Sequence, residues 1–221
     1  ASCIIKVAAE EQGTIMHENQ LLCNARHSVI LQMDTASTVS QFNLENTESS
    51  ASGSKQIAFI SGGLGGVGML AAVERTNAGV GKVVLSGRSG RSKDTNFYGI
   101  AEERKQTAVT VVRCDVASRE ESTFACVVAQ ASRSTCLRAP CIQLLHAGGI
   151  LSDETIGRQT AGSLGTVMSP KTVGFQRLDD AFAYLPIFGS VLFSSIAVLL
   201  GSMGQANYAA ANASLDALAA V

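Results

Sequence analysis

A glycine-rich segment at positions 62 to 68 constrains the fold of this chain more than any other feature of the sequence. It follows the short apolar run Gln56–Ile60 and precedes the helix-like segment Val67–Thr76. The spacing G-x-G-x-x-G is met by Gly63, Gly65 and Gly68.

Glycines at this spacing permit a tight turn, let the backbone approach a pyrophosphate and let the helix pack closely on the strand. The phosphates then meet free N–H groups and the positive end of the helix dipole. Since the motif lies between a predicted strand and a predicted helix, it predicts a dinucleotide site. The alternative is a merely flexible glycine loop.

Strand-like and helix-like segments alternate after residue 55. The predicted strands are Gln56–Ile60, Lys82–Ser86, Val109–Arg113, Cys141–Leu145 and Ser190–Phe193. The predicted helices are Val67–Thr76 (with Gly79 as its C-terminal stop), Ile100–Gln106, Glu120–Ser132, Lys171–Ala183 and Ala206–Ala220. This alternation predicts an α/β Rossmann fold with a doubly wound parallel sheet, in which right-handed crossovers place helices on both faces. Ligands of such sheets bind at the carboxyl ends of the strands.

The first 54 residues differ from the rest. Ile4–Ala8 and Ser28–Met33 are compatible with short strands, and the small polar residues Thr47–Ser54 are typical of a linker. We therefore divide the chain into residues 1–54, which receive no functional assignment, and a nucleotide-binding domain of residues 55–221.

Charge and apolar patterning exclude some classes of protein. The net charge is −1 and no basic stripe is visible, which argues against nucleic-acid binding.

No charged residue occurs from Ala181 to Leu215, which invites a membrane interpretation. The most apolar part, Leu185–Gly201, is short for a spanning helix, contains proline and glycine, and runs into polar Gln205. A buried parallel strand followed by a loop and a helix is the interpretation we favour over a membrane span.

The six cysteines form no C-x-x-C pair, which argues against a zinc site and favours reduced thiols in a cytoplasmic protein. No signal peptide opens the chain. It begins at Ala1 without an initiator methionine, so we expect it to be a piece of a longer protein.

Two side chains beyond the glycine loop bear on nucleotide specificity. The second predicted strand runs into Arg88, where an NAD site would place an Asp or Glu for the ribose 2′-hydroxyl. The Arg88 guanidinium matches a 2′-phosphate instead and favours NADPH, unless Arg88 is simply a solvated surface residue. Asp115 follows the third strand; it can accept a bond from the adenine amino group or serve as a residue of a helix N-terminal turn.

A serine, a tyrosine and an asparagine are arranged for acid–base chemistry near the chain's end. Tyr208 and Asn212 are four apart on a predicted helix and share one face. Ser195 lies where the fifth predicted strand ends, thirteen positions before the tyrosine. Each of these residues alone has an ordinary structural explanation, as a half-buried aromatic or a surface helix residue.

Residues 56–221 resemble the ketoreductase domains of modular polyketide synthases and of multifunctional fatty acid synthases, which are short-chain dehydrogenase/reductase folds. The resemblance rests on the glycine loop and on Gly87-Arg88-Ser89, Cys114-Asp115-Val116, His146-Ala147-Gly148-Gly149, Ser169-Pro170-Lys171, Phe193-Ser194-Ser195 and Gly204-Gln205-Ala206-Asn207-Tyr208. Most members of the superfamily carry Tyr-x-x-x-Lys, whereas this chain has Tyr208-x-x-x-Asn212. The ketoreductases that it resembles exchange these positions, so their upstream lysine corresponds to Lys171, which alone would be a solvated helix residue.

The resemblance implies NADPH-dependent reduction of a β-ketoacyl group bound to an acyl carrier protein, beside neighbouring synthase domains. Tyr208 would donate the proton, Ser195 would orient the ketone oxygen, Lys171 would stabilise the phenolate and hold the nicotinamide ribose, and Asn212 would hold a proton relay. The cofactor-binding residues implied are Gly62, Gly63, Leu64, Gly65, Gly66, Val67, Gly68, Arg88, Ser89, Asp115, Val116, His146, Ala147 and Gly148.

Some positions depart from the family pattern. Ser61 replaces the usual threonine and Gly148 the usual alanine. Asp153 matches the last residue of the Leu-Asp-Asp motif of ketoreductases that form the B-type alcohol, and Leu200 stands where A-type relatives have tryptophan. Asp153 is otherwise a simple loop residue.

The family continues beyond Val221, so we expect a C-terminally truncated sheet and an open substrate pocket. The alternatives are a non-catalytic structural domain of the same family and a stand-alone reductase of alcohols or steroids.

Overall fold

A computed structural model describes residues 28–32, 56–91, 107–131 and 142–220 of the chain. Six strands are present in this part: β1 (Ser28–Gln32), β2 (Ile57–Ser61), β3 (Lys82–Gly87), β4 (Ala108–Arg113), β5 (Ile142–His146) and β6 (Ile187–Ser194). The helices are α1 (Gly66–Asn77), α2 (Arg119–Ala131), α3 (Ala161–Met168), α4 (Gly174–Phe182), α5 (Ala197–Leu200) and α6 (Ala206–Ala219). A 3₁₀ turn covers Ile156–Arg158, and a π-helical turn, Ser169–Val173, joins α3 to α4.

The strands form one parallel sheet in the order β1-β6-β5-β2-β3-β4. The chain winds outward from β2 in one direction through β3 and β4, and then in the other through β5 and β6. The strand order therefore reverses between β2 and β5, where an open α/β sheet binds its ligand at the carboxyl ends of the strands. Ser61 and His146 are the last residues of these two strands and lie opposite each other in register.

Successive side chains of the central strands are buried on opposite faces of the sheet. Phe59 belongs to the apolar cluster that holds Phe182 and Leu215, from α4 and α6. Its neighbour Ile60 belongs to a second cluster with Met69 of α1. Since both faces are covered by helices, the central strands are continuous apolar runs, which is typical of buried parallel sheets.

The predicted α/β Rossmann architecture is confirmed, and the five strands predicted after residue 55 occur within one to three residues of the expected bounds. The helices predicted around α1, α2 and α6 are also present. Gly79 follows α1 with a φ of +76°, a left-handed conformation that favours glycine at a helix stop. The predicted helix Ile100–Gln106 lies outside the described residues.

The helical segment before β6 is longer than predicted. The sequence indicated one helix from Lys171, but α3, the π-helical turn and α4 run almost continuously from Ala161 to Phe182. Glycine, serine and threonine give α3 weak helix propensity. The Thr160 side chain nevertheless caps it by accepting the Ser163 N–H, and the Ser163 hydroxyl in turn accepts the Thr160 N–H. The short helix α5 was also not predicted.

The predicted strand at residues 28–33 is present as β1 and lies parallel to β6 at one edge of the sheet. It comes from the segment that received no assignment, whereas the predicted strand Ile4–Ala8 and the linker Thr47–Ser54 lie outside the described residues. The domain boundary after residue 54 stays a prediction.

Candidate active site

The glycine loop between β2 and α1 is packed against neighbouring backbone too tightly for side chains at several positions. Gly62 has a φ of +68°, and a Cβ there would lie 2.6 Å from the Gly148 nitrogen. A Cβ on Gly63 would lie 2.7 Å from the Ile60 oxygen. A Cβ on Gly68 would collide with the Gly62 carbonyl oxygen. The loop is therefore a specific close-packed turn, which favours the dinucleotide interpretation over that of a merely flexible loop.

The amino end of α1 is open above this turn. Gly65, Gly66 and Val67 are exposed, and no side chain caps the helix at Gly65. A Cβ on Gly66 would meet no atom within 4 Å. Free N–H groups at a helix amino end, beside a cradle that only glycine can form, suit the pyrophosphate of a dinucleotide.

The predicted contacts to the adenosine half lie beyond β3 and β4. Arg88 and Ser89 are exposed in the turn after β3, and the Ser89 hydroxyl donates to the Arg91 carbonyl at 2.8 Å. Asp115 accepts the Ala117 N–H at 3.0 Å, which is the helix-turn role left open by the sequence. Val116 is buried against Gly174 of α4. Arg88 and Ser89 are therefore available to a ligand, whereas the Val116 side chain supports α4.

His146 was predicted among the cofactor contacts, and the structure places its side chain inside the protein. The ring is fully buried, with Nδ1 2.6 Å from the Ser61 hydroxyl and Nε2 2.9 Å from the Lys171 carbonyl oxygen. Burial, and then the positive charge of Lys171, lower the pKa of His146 to about 3. A neutral ring with both nitrogens engaged inside the protein does not present a polar atom to a ligand.

Lys171 is buried, although the sequence alone suggests a solvated residue. It lies in the π-helical turn, and its ammonium donates to the carbonyl oxygen of Phe193 in β6 at 3.0 Å. Burial lowers the pKa of Lys171 to about 8, and the carboxylate of Asp216 opposes this shift. A π-helical turn is often found at a functional site. Here it points a long cationic side chain at the carboxyl end of β6.

The structure brings Lys171, Ser195 and Tyr208 to one end of the sheet. The Lys171 ammonium lies 5.6 Å from the centroid of the Tyr208 ring. Tyr208 is partly exposed in the first turn of α6. Ser195 follows β6 directly, and its hydroxyl accepts the Ala197 N–H at 3.2 Å. A cation and a phenol thus lie together at the end of the sheet where Ser195 follows β6, and the catalytic roles of all three stay a prediction.

Asn212 and Asp216 continue the face of α6 that carries Tyr208, at intervals of four residues. The fully buried Asn212 amide donates to the Tyr208 carbonyl at 2.8 Å. Among the described residues, Asn212 Oδ1 and Asp216 Oδ1 are buried oxygens without a hydrogen-bond partner. Sequence reasoning missed Asp216, although its spacing from Tyr208 and Asn212 was a visible signal.

A loop before α3 is tied to the start of α6. Asp153 accepts from the Gln205 amide at 3.2 Å, and the Glu154 N–H donates to the Gly204 carbonyl at 2.8 Å. Asn207 donates to the Ser152 carbonyl at 2.7 Å and accepts the Tyr208 N–H. These bonds, made by Gln205 and Asn207, fix the start of α6 and hence Tyr208 relative to the loop.

The glycine cradle, the sheet reversal and the placement of Lys171 beside Tyr208 are typical of a dinucleotide-binding fold of the short-chain dehydrogenase/reductase class. The cradle fits a dinucleotide because side chains at its glycines would fill it. Residues 57–221 match the family model described as the KR domain, and the chain belongs to this family of ketoreductase domains.

Relatives agree with this assignment. The chain is 37% identical over 159 residues to a subunit of the phenolphthiocerol/phthiocerol polyketide synthase of Mycobacterium tuberculosis, covering 72% of this chain and 8% of that protein. It is 36% identical over 164 residues to the spectinabilin polyketide synthase system protein NorB of Streptomyces orinoci, covering 73% of this chain and 7% of that protein. The chain therefore spans less than a tenth of the length of these relatives.

Solved structures resemble the fold as well. An A-type ketoreductase from a modular polyketide synthase matches with a TM-score of 0.63 and 30% identity, covering 76% of this chain and 35% of that one. An N-terminal ketoreductase from the macrolactin assembly line matches in fold, with a TM-score of 0.64 and 24% identity, covering 86% of this chain and 44% of that one.

Proposed function

We propose that this domain uses NADPH to reduce the β-keto group of an acyl thioester carried by an acyl carrier protein. The observation that carries the proposal is the buried Lys171 ammonium, 5.6 Å from the centre of the Tyr208 ring and bonded to the end of the strand that precedes Ser195. A cation costs free energy to bury. Its position beside a phenol that can give up a proton supplies a chemical reason for that cost.

Each residue has a separate task in the proposed reaction. Ser195 donates a hydrogen bond to the ketone oxygen and fixes its position, and Tyr208 gives that oxygen the proton that makes it an alcohol. Lys171 stabilises the phenolate that remains and binds the nicotinamide ribose. When bound, the reduced nicotinamide supplies the hydride that reduces the carbonyl carbon.

Asn212 would complete the proton supply. Its amide nitrogen is bound to the Tyr208 carbonyl, while its buried Oδ1 has no partner among the described residues. A buried acceptor of this kind is normally satisfied, in many proteins by ordered water. A water held there would return a proton toward Tyr208 after each turnover.

The pyrophosphate of the cofactor would lie on the glycine loop and the amino end of α1, in contact with the backbone of Gly62, Gly63, Leu64, Gly65, Gly66, Val67 and Gly68. Ala147 and Gly148, which abut this loop, would contribute through their backbone, as would His146. Ser89 and Asp115 would contact the adenosine half.

Replacing Arg88 with alanine is expected to raise the KM for NADPH about 10- to 100-fold, the equivalent of one or two charge-assisted hydrogen bonds. The KM for NADH should stay unchanged, because NADH has no 2′-phosphate. Initial rates with both cofactors provide the measurement. Arg91→Ala, which removes another exposed arginine a few positions along the chain, is the control. An equal change for NADPH and NADH would contradict the 2′-phosphate contact.

Asp216→Asn is expected to shift the alkaline limb of the pH–rate profile to lower pH. Burial already lowers the pKa of Lys171 to about 8, and the Asp216 carboxylate opposes this effect. Without the carboxylate the pKa falls further, so the ammonium loses its proton at lower pH and activity declines there. Profiles of kcat/KM would be compared with those of Asp180→Asn, which removes an exposed carboxylate of α4. An unmoved limb would show that Asp216 does not act on Lys171.

The position of Asp153 supports a role in product configuration. Its carboxylate is bonded to Gln205, three residues before Tyr208. A loop carboxylate tied to the start of α6, the helix that carries Tyr208, can restrict the side from which the thioester enters. We infer that the product is the B-type alcohol, which chiral chromatography of the hydroxyacyl product would test.

The proposed partners are an acyl carrier protein and neighbouring synthase domains, and the proposed location is the cytoplasm. Polyketide synthesis is the setting favoured by the relatives; fatty acid synthesis stays the alternative. In the described part of the chain, no helix combines the length and apolarity needed to cross a membrane.

The decisive experiment follows NADPH oxidation at roughly 340 nm, the absorption band of the reduced nicotinamide. A β-ketoacyl N-acetylcysteamine thioester would replace the carrier-bound substrate, and a carrier-bound substrate would follow. We expect turnover with the thioester, and faster turnover with the carrier. A folded protein that binds NADPH but does not turn over would instead be a structural domain. A protein that prefers simple ketones or steroids would be a stand-alone reductase.

A further inference from the structure

A buried polar pair connects the sheet to the lysine-bearing turn. Ser61 and His146 end β2 and β5, the two strands at which the strand order reverses, and both side chains are fully buried. The Ser61 hydroxyl lies 2.6 Å from His146 Nδ1, and His146 Nε2 lies 2.9 Å from the Lys171 carbonyl oxygen. The contacts thus run from the base of the glycine loop to the backbone of Lys171.

The partners determine which ring nitrogen carries the proton. A carbonyl oxygen only accepts hydrogen bonds, so the proton of the neutral ring must be on Nε2 and point at the Lys171 carbonyl. Nδ1 is then an acceptor, and the Ser61 hydroxyl donates to it. Burial and the nearby ammonium of Lys171 keep the pKa of His146 at about 3, so the ring holds this neutral form at physiological pH.

The contact from His146 is made to the π-helical turn that carries Lys171. Such a turn departs from the α-helical pairing of N–H groups and carbonyls. The Lys171 carbonyl accepts the Gly174 N–H and is also bound by His146 Nε2, and the Lys171 ammonium is held at the other end of the residue by the Phe193 carbonyl. Gly148 and Gly149 pack around this arrangement, since a Cβ on them would lie 3.2 Å from the Pro170 oxygen and 3.3 Å from Lys171 Cε.

We propose that His146, fixed by Ser61, is a positioning residue that sets the backbone of Lys171 and thereby aims its ammonium at the Tyr208 ring. The inference rests on the proposed function, because it assigns a purpose to the placement of Lys171. It gives the buried His146 ring an indirect role beneath the site.

Two variants separate this role from simple core stability. In His146→Gln, the amide nitrogen reaches the place of Nε2 and can still donate to the Lys171 carbonyl, but the bond from Ser61 is lost. In His146→Asn, the shorter amide can accept from Ser61 but does not reach the carbonyl. Each variant loses one buried hydrogen bond, so we expect similar falls in melting temperature.

Their activities should differ. We expect His146→Gln to keep kcat within about threefold of the wild type, whereas His146→Asn should lose about 100-fold, the cost of an error of about 1 Å in a catalytic group. The NADPH affinity, measured by fluorescence titration, should fall in His146→Asn and in Lys171→Met but not in His146→Gln. Equal losses in the Gln and Asn variants would overturn the proposal.

A readout independent of turnover is the ¹⁵N spectrum of histidine-labelled protein, in which this chain contributes three histidines. The charged groups that act on the site are the Lys171 ammonium, from the π-helical turn, and the Asp216 carboxylate, from α6. We expect His146 to show the neutral Nε2–H form down to about pH 5. An Nδ1–H form, or titration near the ordinary histidine pKa, would overturn the inference. If the wild type reduces no thioester, the proposed function fails, and the spectrum with the NADPH affinities still decides this inference.

Discussion

Tyr208→Phe is expected to lower kcat for ketone reduction by about 100- to 10,000-fold, the range that a positioned general acid contributes. Phenylalanine keeps the ring beside Lys171 and removes only the hydroxyl, so the ketone oxygen loses its proton donor. The NADPH affinity should change little, because the ring itself stays in place. Steady-state rates of NADPH oxidation with a β-ketoacyl thioester, together with a fluorescence titration of NADPH, provide the two measurements.

Tyr184→Phe is the matched control. Tyr184 is 96% exposed in the turn after α4, so loss of its hydroxyl should affect neither rate nor binding. If Tyr208→Phe kept more than a tenth of the wild-type kcat, the proton would have to come from another group. Ser195, whose hydroxyl lies at the end of the neighbouring strand, would then be examined as the donor.

The second large effect is expected from Gly68→Ala in the glycine loop. The new methyl group would collide with the Gly62 carbonyl oxygen and would lie 2.6 Å from Gly63 Cα. These are backbone atoms, so relief of the contact requires α1 to move away from β2 and deforms the cradle. We expect the free energy of unfolding to fall by about 1–3 kcal/mol, as in other overpacked sites, and NADPH affinity to fall at least about tenfold, which corresponds to 1.4 kcal/mol.

Gly165→Ala separates the collision from the general effect of alanine in a helix. Gly165 is exposed in α3, and a Cβ there meets no atom within 4 Å. Alanine should stabilise the helix by roughly 0.5–1 kcal/mol, and NADPH should bind with nearly unchanged affinity. Urea unfolding and NADPH titration of both variants provide the test. Equal behaviour of the two variants would show that close packing of the loop is not needed for binding.

Much of the fold could be predicted because its signals are local. The apolar run of β2, the glycine spacing after it and the alternation of strands and helices each depend on neighbours in the chain. In the candidate site, Ser195, Tyr208 and Asn212 were predicted from their positions and spacing, whereas Lys171 was predicted from the family resemblance. The start of the helix before β6 was predicted wrongly, because a capping box and packing against α6 stabilise α3 despite its composition.

Residue type and short-range spacing were enough to predict the class of sheet and the glycine loop, and the family resemblance supplied the groups that carry the proposed chemistry. The surroundings of each group emerged only in the folded chain. Folding turned His146 inward against Ser61, buried Lys171 in a π-helical turn and placed Asp216 near enough to act on that lysine. Burial, hydrogen-bond partners and electrostatic fields depend on residues distant in the chain, such as positions 61, 146 and 171, and no local pattern encodes which of them meet.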